Sequence, residues 1–328
     1  RQSSFGSAGV DAIPAGNAIL FLQKAKRKIR ELAYNFDSDG YVAPDLTILN
    51  DTVTKSGINE MSYQQEPDSI IWCVRDDGQL AGLTYQRSEN VTAWHRHIFG
   101  GAFGSGNAVC ESVASISGTL TEDEVWVIVK RTINGATKRY VECFSDFDFD
   151  ETTSTDFKFL DSHLSYSGSS TSTLSGLAHL EGQTVSILAD GATHATKVVS
   201  SGAITLDRAC TKACVGLSYD SVLQTMRIEG GAAEGTSQGK TKRISKVVLR
   251  LFETVGVKVG PSLTSLETVP FRTTSSSLSS PVDTLLAGDK EIEFRDDYNS
   301  DGFIFIKQDQ PLPCSVLAIY PTLVTSDG

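Results

Sequence analysis

The stretch Val125-Trp126-Val127-Ile128-Val129 indicates the fold class, because five consecutive β-branched or aromatic residues favour a strand that is buried on both faces. Asn134-Gly135 follows, and a second extended segment covers residues 137–143. Asn-Gly between two such segments is the strongest short-range signal for a β-hairpin. The middle of the sequence therefore predicts antiparallel strands that are joined by tight turns.

Two further segments have the same layout of an apolar strand, an Asp-Gly turn and a second strand: residues 70–74 and 80–85 around Asp76-Asp77-Gly78, and residues 185–188 and 197–199 around Asp190-Gly191. The C-terminal part adds predicted strands at residues 244–252, 291–294, 303–307 and 315–320. Stretches rich in Ser, Thr or Gly predict loops at residues 165–176, 229–239 and 273–280. Strands thus account for most of the expected secondary structure.

The N-terminal strands recur at a spacing that suggests a repeat. Ile19, Ile70 and Val125 each begin an apolar strand, and they are 51 and 55 residues apart. The three units end near Tyr34, Tyr85 and Tyr140. Repeats of this length built from short strands are typical of β-propeller blades. Three blades cannot close a propeller, so we expect an incomplete propeller and further residues upstream of Arg1.

Two N-terminal segments allow a helical interpretation. Leu22, Ala25, Ile29 and Leu32 have helical spacing, but a hairpin that turns at residues 24–28 is the alternative, and the repeat favours the hairpin. Residues 44–53, which begin with a proline and are followed by Gly57, predict one short helix.

Composition excludes some classes of protein. The 328 residues carry a formal net charge of −11, which argues against gripping nucleic acid but is compatible with a conduit whose wall repels phosphate. The sequence predicts no signal peptide, and it predicts no membrane-spanning helix because no apolar run approaches roughly 20 residues. The six cysteines form no CxxC pair, which predicts reduced thiols in a cytoplasmic product.

Three motifs fall short of the chemistry that they suggest. EGTSQGKT at residues 234–241 has three residues between its glycines, whereas a phosphate-binding loop has four. DYNSDG at residues 297–302 resembles the start of a calcium loop, but Gln308 stands where a bidentate Glu is needed. His95 and His97 share one face of a strand without an evident third metal ligand. The sequence therefore predicts no catalytic, cofactor-binding or metal-binding residues, and a protein that is not an enzyme.

A cluster of basic residues precedes and enters the strand at residues 244–252. Such a cluster is usually a solvated face, but it could also contact an acidic neighbouring subunit. We predict intersubunit contacts there by Lys240, Lys242, Arg243, Lys246 and Arg250.

These patterns predict an all-β protein with partial propeller blades and small barrel-like or sandwich-like modules. Residues 1–150 would form the blades, and residues 151–220 a small inserted β module. Residues 221–328 would return to the propeller or platform as C-terminal β segments.

Several blocks, in one order along nearly the whole chain, resemble the tail nozzle or tail tubular proteins of short-tailed bacteriophages. The blocks are LAYNFDSDGYVAPD (residues 32–45), MSYQQEPDSIIWCV (61–74), AWHRHIFG (93–100), GATKRYVE (135–142), LEGQTVSILADG (180–191), GTSQGKTKRISKV (235–247) and GFIFIKQDQPLPCSVLA (302–318). Residues 177–219 also resemble the small β domain named after ubiquitin-activating enzymes, without any adenylation or thioester motif.

The resemblance implies a propeller-bearing subunit of a homohexameric ring in the virion tail, assembled in the cytoplasm of the bacterial host. Such a ring extends the tail below the portal and adaptor rings, contacts tail fibres or a needle, and conducts DNA during ejection without specific binding. The family offers no catalytic residues to carry over, and its complete members begin with blade sequence that this chain lacks. The alternative interpretation is a propeller on the tail surface that binds or cleaves glycans, supported by the repeat and by aromatic residues such as Trp94 and Tyr298.

Overall fold

The computed structural model describes residues 4–118, 122–145, 154–230, 236–272 and 285–326, and within these ranges it contains strands and two short 3-10 helices but no α-helix. The prediction of an all-β fold is therefore confirmed. The described residues contain no helix with the length and hydropathy that membrane crossing requires. The chain divides into two units, residues 1–147 and 148–328, which are described separately below. The predicted boundaries at residues 150 and 220 remain a prediction.

The first unit is built from short antiparallel strands. In chain order they are β1 (Ile13–Ala15), β2 (Ala18–Leu22), β3 (Ile29–Asn35), β4 (Gly40–Val42), β5 (Ile58–Gln64), β6 (Ile70–Arg75), β7 (Leu80–Gln86), β8 (Val91–His97), β9 (Ala102–Phe103), β10 (Gly106–Asn107), β11 (Val109–Ser117), β12 (Asp123–Ile133) and β13 (Ala136–Cys143). Strands β1 to β4 form one four-stranded sheet and β5 to β8 another, each in chain order, and β11 to β13 form a three-stranded sheet. Four-stranded sheets in chain order are the layout of propeller blades.

The β5–β8 sheet is packed on both faces, and β6 shows why. Ile71 and Cys73 lie in a buried cluster with residues of β2, whereas Trp72 and Val74 lie in a second cluster with residues of β11 and β12. Alternate residues of a strand point to opposite faces of its sheet. The three sheets therefore stack in chain order, as successive blades do.

The strand that dominates the sequence pattern is buried more on one face than on the other. Val125, Val127 and Val129 on β12 are buried, whereas Trp126 and Ile128 between them are half-buried. The predicted hairpin is present, because β12 pairs with β13 from Trp126↔Cys143 to Ile133↔Ala136. Burial on both faces was expected here, and the second face is covered only in part.

The two ambiguous N-terminal segments have different outcomes. Residues 24–28 form the predicted turn, in which Gln23 N donates to the Lys28 carbonyl oxygen over 2.8 Å. The short helix predicted at residues 44–53 is wrong, since this segment forms turns. Asp45 Oδ1 accepts hydrogen bonds from the Thr47 amide and hydroxyl at 2.9 and 2.6 Å. Leu46 N also donates to Ile29 of β3 over 3.0 Å, which holds the segment along the sheet.

Glu111, Lys130 and Arg139 form an ion cluster on the β11–β13 sheet, and this cluster determines the pH at which Glu111 becomes protonated. Hydrogen bonds from Arg139, at 2.6 and 3.2 Å, and from Lys130 lower the pKa of Glu111 to about 2. A carboxyl whose folded pKa is depressed contributes stability above its unfolded pKa and loses it as pH falls toward the folded value. We therefore expect this carboxylate to stay ionised down to about pH 2.

An NMR titration that follows the side-chain carboxyl carbon of Glu111 checks this expectation. In the Arg139→Ala variant the midpoint of the Glu111 titration should move up toward the ordinary glutamate value of about 4.3, because the hydrogen bonds with the largest effect on its pKa are lost. A midpoint near 4.3 in the unmodified protein would contradict the cluster.

The second unit begins with a 3-10 helix at Ser154–Asp156 and contains another at Ala178–Leu180. Its strands are β14 (Asp161–Ser175), β15 (Thr184–Ala189), β16 (Ala192–Val198), β17 (Ala203–Leu217), β18 (Ser221–Gln224), β19 (Thr241–Thr254), β20 (Lys258–Ser262), β21 (Ser265–Thr268), β22 (Leu286–Glu293), β23 (Phe305–Gln308) and β24 (Ser315–Ser326). The sheets have the orders β14-β17-β15-β16, β18-β23-β20-β21 and β22-β19-β24. The predicted hairpin at residues 185–199 and the four predicted C-terminal strands are confirmed.

One predicted loop is a strand instead. Residues 165–175 belong to β14 and pair with β17, for example Ser165 with Cys214 and Leu174 with Ile204. Ser and Thr favour loops only as a composition, and Thr also suits a strand because of its branched β carbon. The pairing is irregular between Ser167 and Thr173, where the register shifts twice. The Ser-rich stretch at residues 273–280 and the acidic stretch at residues 146–151 lie outside the described residues.

Candidate functional site

The predicted contact residues lie on or near β19, whose two faces differ in chemistry. Inward-pointing residues of β19, such as Ile244, Val247 and Leu249, are fully buried in the main cluster of the second unit. The register shifts between Ile244 and Lys246, so the inward positions are residues 242 and 244 before the shift and residues 247 and 249 after it. The opposite side of the β22-β19-β24 sheet, here called the outer face, carries residues from all three strands: Arg243, Lys246, Val248 and Arg250 from β19, Asp289, Glu291 and Glu293 from β22, and Tyr320, Thr322 and Val324 from β24.

Two cross-strand ion pairs join β19 to β22 on the outer face. Lys246 Nζ lies 3.1 Å from Glu291 Oε1, and Arg250 donates to both carboxylate oxygens of Asp289 at 2.7 and 2.9 Å. The hydrogen bonds from Arg250 lower the pKa of Asp289. Exposed pairs of this kind contribute little to stability, because water competes for both charges. The charges can therefore exchange partners with another surface at little cost.

The β24 side of the outer face is apolar. Tyr320 and Val324 are 46% and 47% exposed, and Phe252 at the end of β19 is 41% exposed. The Arg250 guanidinium carbon lies 5.4 Å from the centroid of the Tyr320 ring. Three partly exposed apolar side chains thus lie beside charged ones on this sheet.

An open groove of about 560 Å³ lies at one end of this face. Basic residues Arg243, Lys246 and Arg295 and acidic residues Glu291 and Glu293 line it. Arg243 Nε donates to the carbonyl oxygen of Asp296 over 3.1 Å, and burial raises the pKa of the Asp296 carboxyl. Charges of both signs in one groove suit a surface of mixed charge better than a single small ion.

Of the five residues predicted to make intersubunit contacts, three lie on the outer face, one lies in the turn before β19 and one is buried. Arg243, Lys246 and Arg250 share the outer face, and Lys240 lies half-buried in the turn that precedes β19. Lys242 does not lie on the outer face, because its side chain is 1% exposed and points to the inner side, as Ile244 does. Its predicted role in an intersubunit contact stays a prediction. Its ammonium donates to the carbonyl of Ile228 over 3.1 Å. Lys242 thus acts within the core of the second unit.

Sequence reasoning missed the acidic and apolar partners of these cations. Asp289 and Glu291 lie some forty residues further along the chain than β19, and Tyr320 about seventy. Alternation along β19 could have predicted that Lys242 points inward, because residues two apart in a strand, such as 242 and 244, lie on the same face. Strand register, which only the structure supplies, determines the rest.

Two of the three rejected motifs have structural roles in the described residues. Asn299 Oδ1 accepts hydrogen bonds from the amides of Asp301 and Gly302 at 2.9 and 2.6 Å, so the sequence that resembles a calcium loop forms a tight turn. The His95 ring packs edge-on against Trp72, with 5.4 Å between centroids. Desolvation, and to a smaller extent His97, lowers the pKa of His95. The described ranges contain no group of three or more metal-ligating side chains.

The sequence that resembles a phosphate loop is only partly described. Residues 234 and 235 lie outside the described residues, and residues 236–240 form an irregular turn ahead of β19.

Comparisons with known proteins give little to transfer. No protein-family model matches the chain, and no curated protein matches it. Among solved structures, the chain is similar to an exo-β-1,3-galactanase from Phanerochaete chrysosporium in a structure with β-1,3-galactotriose. That similarity has 11% sequence identity and a TM-score of 0.20, and it covers 95% of each chain.

This comparison contradicts one prediction made from the sequence, namely that the chain is not an enzyme, because the matched protein is one. That prediction is not carried further. A TM-score of 0.20 is too low to support an argument about activity, so no reaction is assigned from the similarity.

Proposed function

We propose that this chain is a subunit of the tail nozzle of a short-tailed bacteriophage, where copies of it build a homohexameric ring that conducts DNA. The observation that carries the proposal is the series of sequence blocks, in one order, that resembles this family over nearly the whole chain. The proposed ring lies in the virion tail, next to adaptor or portal-proximal proteins and to tail fibres or a needle. Assembly would take place in the bacterial cytoplasm.

The outer face supports an assembling role. It combines weak, exchangeable ion pairs with exposed Tyr320, Val324 and Phe252, which a neighbouring copy would remove from water. Within the described residues β22 and β24 are the outer strands of their sheet, so each has an unpaired edge. Unpaired strand edges present free backbone donors and acceptors to another chain.

The charge of the chain supports a conduit for DNA that does not bind it. Each copy carries a formal net charge of −11, and a ring multiplies this value. Phosphate contacts with Lys and Arg supply most of the affinity in nonspecific DNA binding. An acidic wall lacks those contacts on average, so the DNA can slide.

The molar mass of the purified chain in solution tests the proposal. Light scattering is expected to give about 212 kDa for a hexamer of the 35.3 kDa chain. Tyr320→Glu and Val324→Glu should lower this mass toward that of the single chain, because each places a charge in the apolar part of the outer face. Val141→Glu is the matched control, since Val141 is 67% exposed on β13 of the first unit.

Electron microscopy of virion tails provides the second measurement. A chain that stays at 35.3 kDa at all concentrations and is absent from the tail would contradict the proposal. A hexamer that both Tyr320→Glu and Val324→Glu leave intact would place the contact away from the outer face.

A further inference from the structure

The hairpin of β3 and β4 exposes three aromatic rings at its tip. Tyr34, Phe36 and Tyr41 are 45%, 89% and 47% exposed. The rings of Phe36 and Tyr41 meet the Tyr34 ring edge-on, with 5.7 and 5.6 Å between centroids. Edge-on contacts hold the rings in place while leaving ring faces open to solvent. The hairpin therefore presents a fixed aromatic surface.

Strand register explains why the rings share one side. Tyr34 and Tyr41 are direct cross-strand partners, and Ala33, the neighbour of Tyr34, points inward and is 2% exposed. The side chain of Asn35 holds the turn, because its Oδ1 accepts hydrogen bonds from the amides of Asp37 and Ser38 at 2.8 and 3.2 Å. A surface that is already ordered loses little conformational entropy when it binds a ligand.

Polar groups accompany the rings at the same tip. The Tyr34 hydroxyl donates to the Asp39 carboxylate, and Asp37 and Ser38 are exposed beside it. In the described part of the chain, the Asp37 carboxylate accepts no hydrogen bond and forms no ion pair. An ionised carboxylate accepts hydrogen bonds from hydroxyl groups but donates none.

This combination suits a sugar better than a protein partner. The C–H groups on one side of a sugar ring are apolar and pack against aromatic faces, while its hydroxyls donate to carboxylates. Buried centres of protein interfaces are depleted in aspartate, yet here two aspartates lie among the rings. The negative charge of the tip also disfavours acidic ligands such as nucleic acid.

We propose that the tip of the β3–β4 hairpin, formed by Tyr34, Phe36, Asp37, Asp39 and Tyr41, is a binding site for an uncharged sugar unit of a glycan. Phe36 and Tyr41 supply the stacking surfaces, and Asp37 and Asp39 accept hydrogen bonds from hydroxyl groups. Glycans that carry carboxylate or sulfate groups are excluded by repulsion. Glycan binding at this tip does not require ring assembly and involves no cleavage.

Binding of the full chain to an array of immobilised neutral and acidic oligosaccharides tests the site, followed by titration of the best neutral oligosaccharide. Phe36→Ala and Tyr41→Ala are each expected to weaken binding about tenfold, the loss typical of one buried aromatic contact. Asp37→Asn should weaken binding to neutral glycans less and should relax the exclusion of acidic ones. Leu49→Ala is the control, because Leu49 is 90% exposed elsewhere on the first unit.

The site is supported if the unmodified chain and the Leu49→Ala control bind neutral glycans and the Phe36→Ala and Tyr41→Ala variants bind them more weakly. The proposal is overturned if no neutral glycan binds the unmodified chain, or if Phe36→Ala and Tyr41→Ala bind as well as it does. A change of molar mass in these variants without a change in glycan binding would also overturn it, since the tip would then be a protein contact. Circular dichroism of each variant excludes misfolding, which exposed positions should not cause.

Discussion

Arg131→Ala is expected to lower the free energy of unfolding of the first unit by about 3 kcal/mol, because it leaves a largely buried charge without its partner. Arg131 on β12 is 0% exposed, and Glu142 on β13 has a side chain that is only 15% exposed. The guanidinium donates to both carboxylate oxygens of Glu142, at 3.1 Å for Nη2, and Nε donates to the Gly100 carbonyl over 2.8 Å. One substitution therefore removes the partner of a carboxylate and of a carbonyl together.

Urea unfolding followed by tryptophan fluorescence measures this effect in the right part of the molecule. All three tryptophans, Trp72, Trp94 and Trp126, lie in the first unit. Arg139→Ala is the matched control on the neighbouring strand, because Arg139 is 57% exposed and pairs with Glu111 at the surface. The control should lose much less stability than Arg131→Ala, because water surrounds Arg139 and screens its pairing with Glu111. Equal losses in the two variants would show that burial of Arg131 does not set its contribution.

Gly260→Ala is expected to destabilise the β20–β21 hairpin of the second unit by about 3 kcal/mol, at the upper end of overpacking costs. A Cβ atom at this position would lie 1.8 Å from the Ser265 carbonyl oxygen and 2.8 Å from the Ser265 carbonyl carbon. Both are backbone atoms, so no side-chain rotation relieves the clash. The two strands must separate where their register already shifts, between Val259 and Ser262.

Hydrogen exchange of residues 258–268, measured by mass spectrometry, localises this effect, and thermal unfolding by circular dichroism gives its size. Gly9→Ala serves as the control, since a Cβ there would meet nothing within 4 Å. That substitution should stay within about 0.5 kcal/mol. Unchanged exchange in Gly260→Ala would mean that the hairpin adapts without losing its pairing.

Sequence patterns were sufficient where local chemistry determines the backbone. Asn134-Gly135 forms the predicted turn, and both residues have the positive φ values, +49° and +73°, that such a turn requires. The apolar run beginning at Val125 is a strand for the same local reason. The stretch at residues 165–175 was mispredicted because Ser and Thr fit a loop and a solvent-exposed strand equally well, and only pairing with β17 decides between them.

The candidate site was less predictable, because it depends on register between distant strands. The sequence identified the cations of β19, but it gave no way to pair Arg250 with Asp289 or with Tyr320. The sequence also offered Trp94 as an aromatic for a glycan surface, whereas the Trp94 indole donates to the Leu46 carbonyl over 3.0 Å and is only partly exposed. The aromatic tip around Tyr34 depends on a turn whose geometry the sequence only partly indicates.

The long ribbon of β14 and β17 contains a weak point in its middle. Its 15-residue strands would extend about 50 Å if straight, yet residues 167–170 of β14 are exposed and small or polar, and the pairing shifts on both sides of Thr171. Because residues 167–170 bury no side chain, this part of β14 does little to favour one register over its neighbours. The pairing of the two strands is therefore held least firmly at this segment, and a slip of register there would leave the pairs on either side unchanged.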